Sequence, residues 1–488
     1  MTLGRRRQML AALVLGVVAA LGQAPFYLPV ATLLSMVGII WLIGPVAEPR
    51  RVALLGWLFG AGYFAVSLHW IVSPFLVDAP RHGWMAPFAL ILMAAGAGLF
   101  WAAAFGLARW MSRRPWPLIL CWPAAEMLRA YIFTGFPWAS PAQAMVDVLM
   151  GQVLAFVGPY GVTLILVGFA VAVCSASGAL VRMALLLGAG LLVVLPPLSE
   201  PSALTGQAVR LVQPNAAQHE KWDPDKIPVF FARQLEFTAA PVQAPLSAII
   251  WSETAIPWAL ERADNIIAQI SAAAGNTPVM LGAQRSEEGR YYNALAVIGA
   301  DGVVQDIYDK HHLVPFGEYF PLTEWAAKLG LTGMAERVGG GYAAGPGARL
   351  LDVGTLGLVL PLICYEAVFA HDVNAAPARA KLIVHVTNDA WFGRAAGPLQ
   401  HLAQAQMRAI EQGLPVARAA NTGVSAMIDP RGRVLVRLGL GQAGFIDAAV
   451  PVPLPQTLYA RTKDWPMAIL FLSGLAVLGL KRHFRNTD

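Results

Sequence analysis

A carboxylate, an ammonium and a thiol, met in that order along one chain, are enough to run acyl transfer. The carboxylate takes the thiol proton, the thiolate attacks a carbonyl, and the ammonium holds the developing oxyanion. This sequence offers such a set in Glu253 (Trp251-Ser252-Glu253-Thr254), Lys310 (Tyr308-Asp309-Lys310-His311-His312) and Cys364 (Ile363-Cys364-Tyr365-Glu366). Of three cysteines, Cys121 and Cys174 lie in apolar stretches, so Cys364 is a lone thiol that cannot enter a disulfide framework. Taken singly, a lone cysteine is usually a small buried hydrophobe and a loop carboxylate or lysine a solvated charge. The combination carries the inference.

Each of the three needs a rigid element behind it. Glu253 follows the apolar run 246–251 and Cys364 ends the run 356–363, so strands deliver both, the thiol exposed at a turn on the sheet edge. Further buried strands are expected at 208–213, 278–281 and 382–387. Hairpins are expected over 293–307, turning at Ala300-Asp301-Gly302, and over 425–436, turning at Pro430-Arg431-Gly432. A helix fits 398–412. Strands alternating with helices predict a layered α/β domain over 201–463. The glycine- and alanine-rich stretch 330–346 is too flexible in composition for a core element and reads as a lid or a plain surface loop.

The rest of the chain reads differently. Of 488 residues, 57% are hydrophobic and 13% charged, about half the charge of an ordinary soluble domain. Eight apolar stretches, 9–21, 27–46, 52–72, 84–111, 116–133, 153–174, 182–198 and 465–480, are candidate membrane spans. A cleaved signal peptide does not fit the first, because further spans follow at once. Arg5, Arg6, Arg7, Arg50, Arg51, Arg113, Arg114, Arg182, Lys481, Arg482 and Arg485 all fall on one side of such a path. Both ends of the chain are then expected in the cytoplasm and 201–463 outside it. The segments expected are seven spans over 1–200, the catalytic domain over 201–463, and a last span with its tail over 464–488.

The net charge of +6 comes from arginines that punctuate apolar segments, which argues against a nucleic-acid surface. No phosphate-cradling glycine motif or dinucleotide fingerprint occurs. His69 and His82 lack a third ligand at metal spacing, and His311, His312, His385 and His401 are too scattered for a metal site. Glu126 and Arg129, in an apolar context, are expected to fix helix packing or the junction with the outer domain.

Together these residues resemble the nitrilase superfamily, whose Glu-Lys-Cys triad occurs in this order on αββα domains. More closely, the chain resembles the apolipoprotein N-acyltransferase family. The resemblance rests on Gly135-Phe136-Pro137-Trp138, Gln213-Pro214-Asn215, Lys221-Trp222-Asp223, the block Lys310 to Glu318, Cys364-Tyr365-Glu366, and Thr387-Asn388-Asp389-Ala390-Trp391-Phe392-Gly393.

It implies Glu253 as general base, Lys310 as electrostatic stabiliser and Cys364 as nucleophile. Glu318 would be a second carboxylate orienting the site, Tyr365 and Glu366 would stand beside the nucleophile, and Trp222 and Trp391 would flank a cavity on loops that admit lipid. It further implies a bacterial inner-membrane enzyme without metal or organic cofactor. The donor would be a phospholipid, phosphatidylethanolamine by family, and the acceptor the amine of diacylglyceryl-cysteine on an apolipoprotein. The alternative is a membrane-anchored nitrilase-like amidase acting on a small amide.

Overall fold

A computed structural model describes residues 4–197, 200–320 and 341–485. Each of the eight apolar stretches contains a helix: α1 (Arg5–Ala20), α2 (Pro29–Ile43), α3 (Pro49–Ser67), α4 (Ala86–Met111), α5 (Leu118–Tyr131), α6 (Leu154–Ser175), α7 (Ala179–Val194) and, last in the chain, α11 (Trp465–Arg485). Among the described residues, three helical runs are long and apolar enough to cross a bilayer unaided: Ala79–Met111, Leu149–Ser175 and Trp465–Phe484. A fourth results if Pro49–Ser67 and His69–Leu76, bent by 59°, are one span. The expected stretch 27–46 shortens to 15 helical residues, because Pro29 opens α2 and Gly44-Pro45 follow its end. Trp41, Trp84, Leu92 and Leu472 stand exposed on these helices, as lipid-facing side chains do.

Among the described residues, twelve strands follow: β1 (Leu204–Gln213), β2 (Ala248–Ile250), β3 (Val279–Glu287), β4 (Arg290–Ile298), β5 (Val304–Asp309), β6 (Leu351–Asp352), β7 (Leu358–Ile363), β8 (Leu382–Thr387), β9 (Val416–Ala420), β10 (Ser425–Ile428), β11 (Val434–Leu438) and β12 (Gly444–Pro451). They form two sheets of six, ordered β12-β1-β2-β3-β4-β5 and β11-β10-β9-β8-β7-β6. Both expected hairpins form, as β4–β5 and β10–β11. Leu356 falls in a helical turn rather than in β7, because Gly354 and Gly357 take positive φ on either side of it.

Side-chain alternation sets the layers. In β2, Ala248 and Ile250 join a core shared with Val384 and Val386 of β8, while Ile249 and Trp251 face the other way, toward α8 (Ile227–Ala239) and α9 (Asp264–Ala274). In β7 and β8, Leu360, Leu362 and Ile383 pack on Leu402, Ala405 and Ala409 of α10 (Ala396–Gln412). The order is helix, sheet, sheet, helix.

α10 is buried along nearly its whole length although its side chains are rich in glutamine. Its opposite face meets the membrane helices and loops. Gln400 donates to the Ala24 and Ser67 carbonyls at 2.9 and 3.0 Å and accepts from Trp138 Nε1 at 2.7 Å. Gln406 reaches Asp147 at 2.8 Å. Those hydrogen bonds satisfy polar groups that burial would otherwise leave costly.

Glu126 and Arg129 form a buried ion pair at 2.7 Å. Glu126 also accepts from Trp101 at 2.7 Å, and Arg129 donates to the Phe136 and Trp138 carbonyls. The pair therefore holds Gly135-Phe136-Pro137-Trp138 against α4 and α5, as expected of a junction. Glu126→Gln or Arg129→Met alone should cost roughly 3–5 kcal/mol, because each leaves an unpaired buried charge, and the double variant less than the sum. Thermal unfolding in detergent of the four proteins measures this; additive losses would contradict it.

Candidate active site

Strands β2, β3 and β5 run in one direction, so Glu253, just past β2, and Lys310, just past β5, emerge at one edge of the first sheet. Asn293, near the start of the intervening β4, reaches both carboxylates there: its Nδ2 donates to Glu253 Oε1 at 2.7 Å and to Glu318 Oε1 at 3.0 Å. Glu253 Oε2 accepts the Asn388 backbone N–H at 2.7 Å, which ties it to the end of β8 in the second sheet.

Lys310 is 1% exposed. Its Nζ lies 2.7 Å from Glu318 Oε2 and 3.9 Å from Glu253 Oε1. Glu318 Oε2 also takes the Val314 N–H at 2.8 Å. Burial by itself pulls the Lys310 ammonium down, but Glu318 and Glu253 outweigh it and lift the group above the usual lysine range. Residues 330–340 of the glycine-rich stretch lie outside the described residues. The following segment is strapped to the site: Tyr342 N–H bonds the Glu318 carbonyl and Gly345 N–H the Lys310 carbonyl, both at 2.8 Å. A Cβ on Gly345 would stand 2.3 Å from the Asp309 carbonyl oxygen, so only glycine allows that approach.

β7 delivers Cys364 into the turn Cys364–Val368 with φ +49°, a left-handed conformation that costs a non-glycine residue of order 1 kcal/mol. Glu366 braces the turn from beneath. Fully buried, it accepts from Ile363 N–H at 2.7 Å, His311 N–H at 2.8 Å and Tyr308 Oη at 2.7 Å. The expected exposed thiol is corrected, since Cys364 is only 4% exposed. Tyr365 adjoins it in the buried turn, and Trp138 and Phe392 pack on His401, whose Nε2 stands 3.1 Å from the Cys364 carbonyl oxygen.

Burial, then the Glu253 carboxylate, push the thiol well above its ordinary range, while Lys310 acts against them. The resting group is a thiol that needs a base. Beside it, burial lowers Lys221 to about 8, and its ammonium donates to the Glu253 carbonyl at 3.1 Å.

Trp222 is 39% exposed, under the Lys221 ammonium at 5.0 Å, and lines a small cleft with Phe230 and Phe231. Trp391 is half-buried on the loop whose Phe392 packs edge-on against Trp70 at 4.9 Å. Tyr365 Oη sits 3.4 Å from the Gly135 carbonyl, joining the nucleophile turn to the membrane part.

The carbon-nitrogen hydrolase family model matches residues 208–458, and the apolipoprotein N-acyltransferase N-terminal domain matches residues 15–172. The apolipoprotein N-acyltransferase of Brucella melitensis is 38% identical over 98% of this chain and 97% of that protein. The chain belongs to the apolipoprotein N-acyltransferase family. The Rhodopseudomonas palustris member is 36% identical over 94% of this chain and 92% of its own, and the Caulobacter vibrioides member 37% over 95% and 93%. Among solved structures, a carbon-nitrogen hydrolase from Helicobacter pylori G27 aligns with 54% of this chain and 94% of its own at 14% identity and TM-score 0.39.

In this member of the apolipoprotein N-acyltransferase family, the histidines are not scattered in space. His312 Nδ1 and Asp372 Oδ2 pair at 2.7 Å, with His371 Nε2 at 3.5 Å from Asp372. Both His312 nitrogens are already engaged, Nε2 with the Thr134 carbonyl at 3.1 Å. His385 and His401 converge on the Cys364 carbonyl. Sequence reasoning gave no role to Asn293, Asn388, Asp389 or Arg418. The one available signal was a polar residue inside an apolar strand, as with His385 in Leu-Ile-Val-His-Val-Thr and Arg418 in Val-Ala-Arg-Ala-Ala.

Burial alone pulls His311 down, but Asp372 and Glu366 outweigh it and raise the imidazole to about 10. A raised folded-state value means that this ion pairing stabilises fully below the ordinary 6.5 and is lost as pH climbs through about 10. The unfolding midpoint in detergent should fall between pH 7 and 10, and His311→Gln should flatten that slope. An unchanged slope in the variant would assign the pH effect elsewhere.

Proposed function

We propose that Cys364 carries a fatty acyl group from a membrane phospholipid to the amine of a diacylglyceryl-cysteine on an apolipoprotein. The carrying observation is the convergence of Glu253, Lys310 and Cys364 at the ends of facing sheets, with Tyr365 beside Cys364 reaching the Gly135 carbonyl of the membrane part. Glu253 accepts the thiol proton as sulfur attacks the ester carbonyl. Lys310, and the Tyr365 N–H at the unpaired start of the turn, face the oxyanion. Collapse breaks the ester C–O bond, and the lyso-lipid oxygen leaves with the proton from Glu253. The α-amine then attacks the thioester, Glu253 takes its proton, and the thiolate departs to be reprotonated. Each step balances with protein side chains and the two substrates. Glu318 fixes Lys310, and Glu366 and Tyr365 hold the turn.

Phosphatidylethanolamine as donor follows the family. The segments we assign are spans 1–200, catalytic domain 201–463, and final span and tail 464–488. Eight spans in a bacterial inner membrane, both termini cytoplasmic and the domain outside, are supported by where the arginines fall. Arg51 bonds Gln8, Arg109 bonds the Ile43 carbonyl and Arg482 the Trp110 carbonyl, which gathers the basic loops at one end of the bundle. The catalytic domain contacts the other end, through Ala24, Ser67, Thr134 and Gly135. A thiol buried against membrane helices favours two lipid substrates over the small soluble amide of an amidase.

With purified full-length enzyme and phosphatidylethanolamine, intact mass should show one acyl adduct, absent in Cys364→Ala, and triacylated product should fall by at least about 10³-fold. Glu253→Gln should slow adduct formation by about 10²–10⁴-fold. Triacylated product from Cys364→Ala would sink the reading.

A further inference from the structure

Behind the nucleophile lies a charged cluster that the chemistry above does not use. Arg418 and Asp389 pair at 2.5 Å with neither side chain exposed. Asp389 Oδ1 accepts the Thr387 hydroxyl at 2.9 Å and lies 2.8 Å from His401 Nδ1. His385 Nε2 and His401 Nε2 stand 3.2 and 3.1 Å from the Cys364 carbonyl oxygen. One buried ion pair thus reaches the nucleophile's carbonyl through His385. Gly423 makes room, since a Cβ there would meet Asp389 Oδ2 at 2.1 Å.

The proton on His385 can be assigned from its neighbours. Arg418 Nη1 lies 2.9 Å from His385 Nδ1, and a guanidinium only donates, so Nδ1 accepts and the ring proton sits on Nε2, aimed at the Cys364 carbonyl. That carbonyl belongs to the same peptide unit as the Tyr365 N–H. Hydrogen bonds accepted by a peptide oxygen polarise the unit and strengthen donation from its nitrogen, by about 10–30% per bond.

We infer that His385 is a positioning residue that clamps the Cys364 carbonyl, holds the left-handed turn and sharpens the Tyr365 N–H as oxyanion donor. The inference rests on Cys364 being the acyl carrier. His385 acts through the peptide and touches no substrate. Its loss should therefore slow steps that create an oxyanion and spare steps that do not.

The test uses full-length enzyme in detergent and two reactions of the same sulfur. Acylation by phosphatidylethanolamine passes through a tetrahedral oxyanion; alkylation by iodoacetamide, a displacement at saturated carbon, does not. Losing an oxyanion donor outright costs about 10²–10³-fold, so weakening one should cost roughly tenfold. His385→Leu should lower kcat for lyso-lipid release by about that factor, with KM for phospholipid and the alkylation rate within about twofold of wild type. His385→Gln, whose amide can donate to the carbonyl and accept from Arg418, should regain most of the rate. If His385→Leu does not fold, His385→Asn, with an amide too short to reach the carbonyl, replaces it. Equal loss of acylation and alkylation, or no regain with glutamine, would overturn the clamp. Absence of any adduct on wild-type Cys364 would instead overturn the acyl-carrier reading.

Discussion

A buried ammonium between two carboxylates sets the terms for everything around it. Lys310 lies within 2.7 Å of Glu318 and 3.9 Å of Glu253, almost sealed from water. Removing three ions from water is tolerable only if each keeps dense hydrogen bonding, which Asn293, the Val314 N–H and the Asn388 N–H supply. The arrangement also explains how a thiol pushed up by burial can ionise at all. In the reaction proposed for this site, Glu253 takes the Cys364 proton, one negative charge moves from oxygen to sulfur and the total beside Lys310 stays the same. A buried site penalises creating charge far more than shifting it over a short distance.

Holding that cluster demands strands from both sheets. Glu253 and Lys310 come from the first sheet and Cys364 from the second, with the Asn388 N–H crossing between them. The register of facing sheets is fixed by the alternation of Ala248, Ile250, Val384 and Val386 into one core, so a one-residue slip would turn the site inside out. α10 then joins the second sheet to the membrane part, and it does so with amides rather than with leucines. Gln400 has fixed partners on three separate segments, the Ala24 loop, the end of α3 and Trp138, which gives the contact a single register where apolar packing would allow sliding.

The strands and both hairpins could be read directly, because periodicity and turn residues are local properties. The membrane helices could be located but not measured. Pro29 and the Gly44-Pro45 pair shorten α2 below the apolar stretch that contains it, and hydropathy averages over such punctuation. The burial of Cys364 was illegible for a different reason. A strand end looks exposed until His401, itself packed on Trp138 and Phe392, is folded against its carbonyl. The histidines show the same limit: His385 and His401 are 16 positions apart in sequence and meet on one carbonyl oxygen.

Seclusion of the sulfur also bears on the choice between amine and water. A thioester is cleaved by either, and water at about 55 M would win in an open cleft against a dilute lipid-bound amine. With Cys364 only 4% exposed, water has little access. Two partners that both dissolve in the bilayer are concentrated at its surface. The same burial that raises the thiol above its ordinary range is then what keeps the intermediate intact, and the Glu253–Lys310 pair is what makes that burial compatible with reaction.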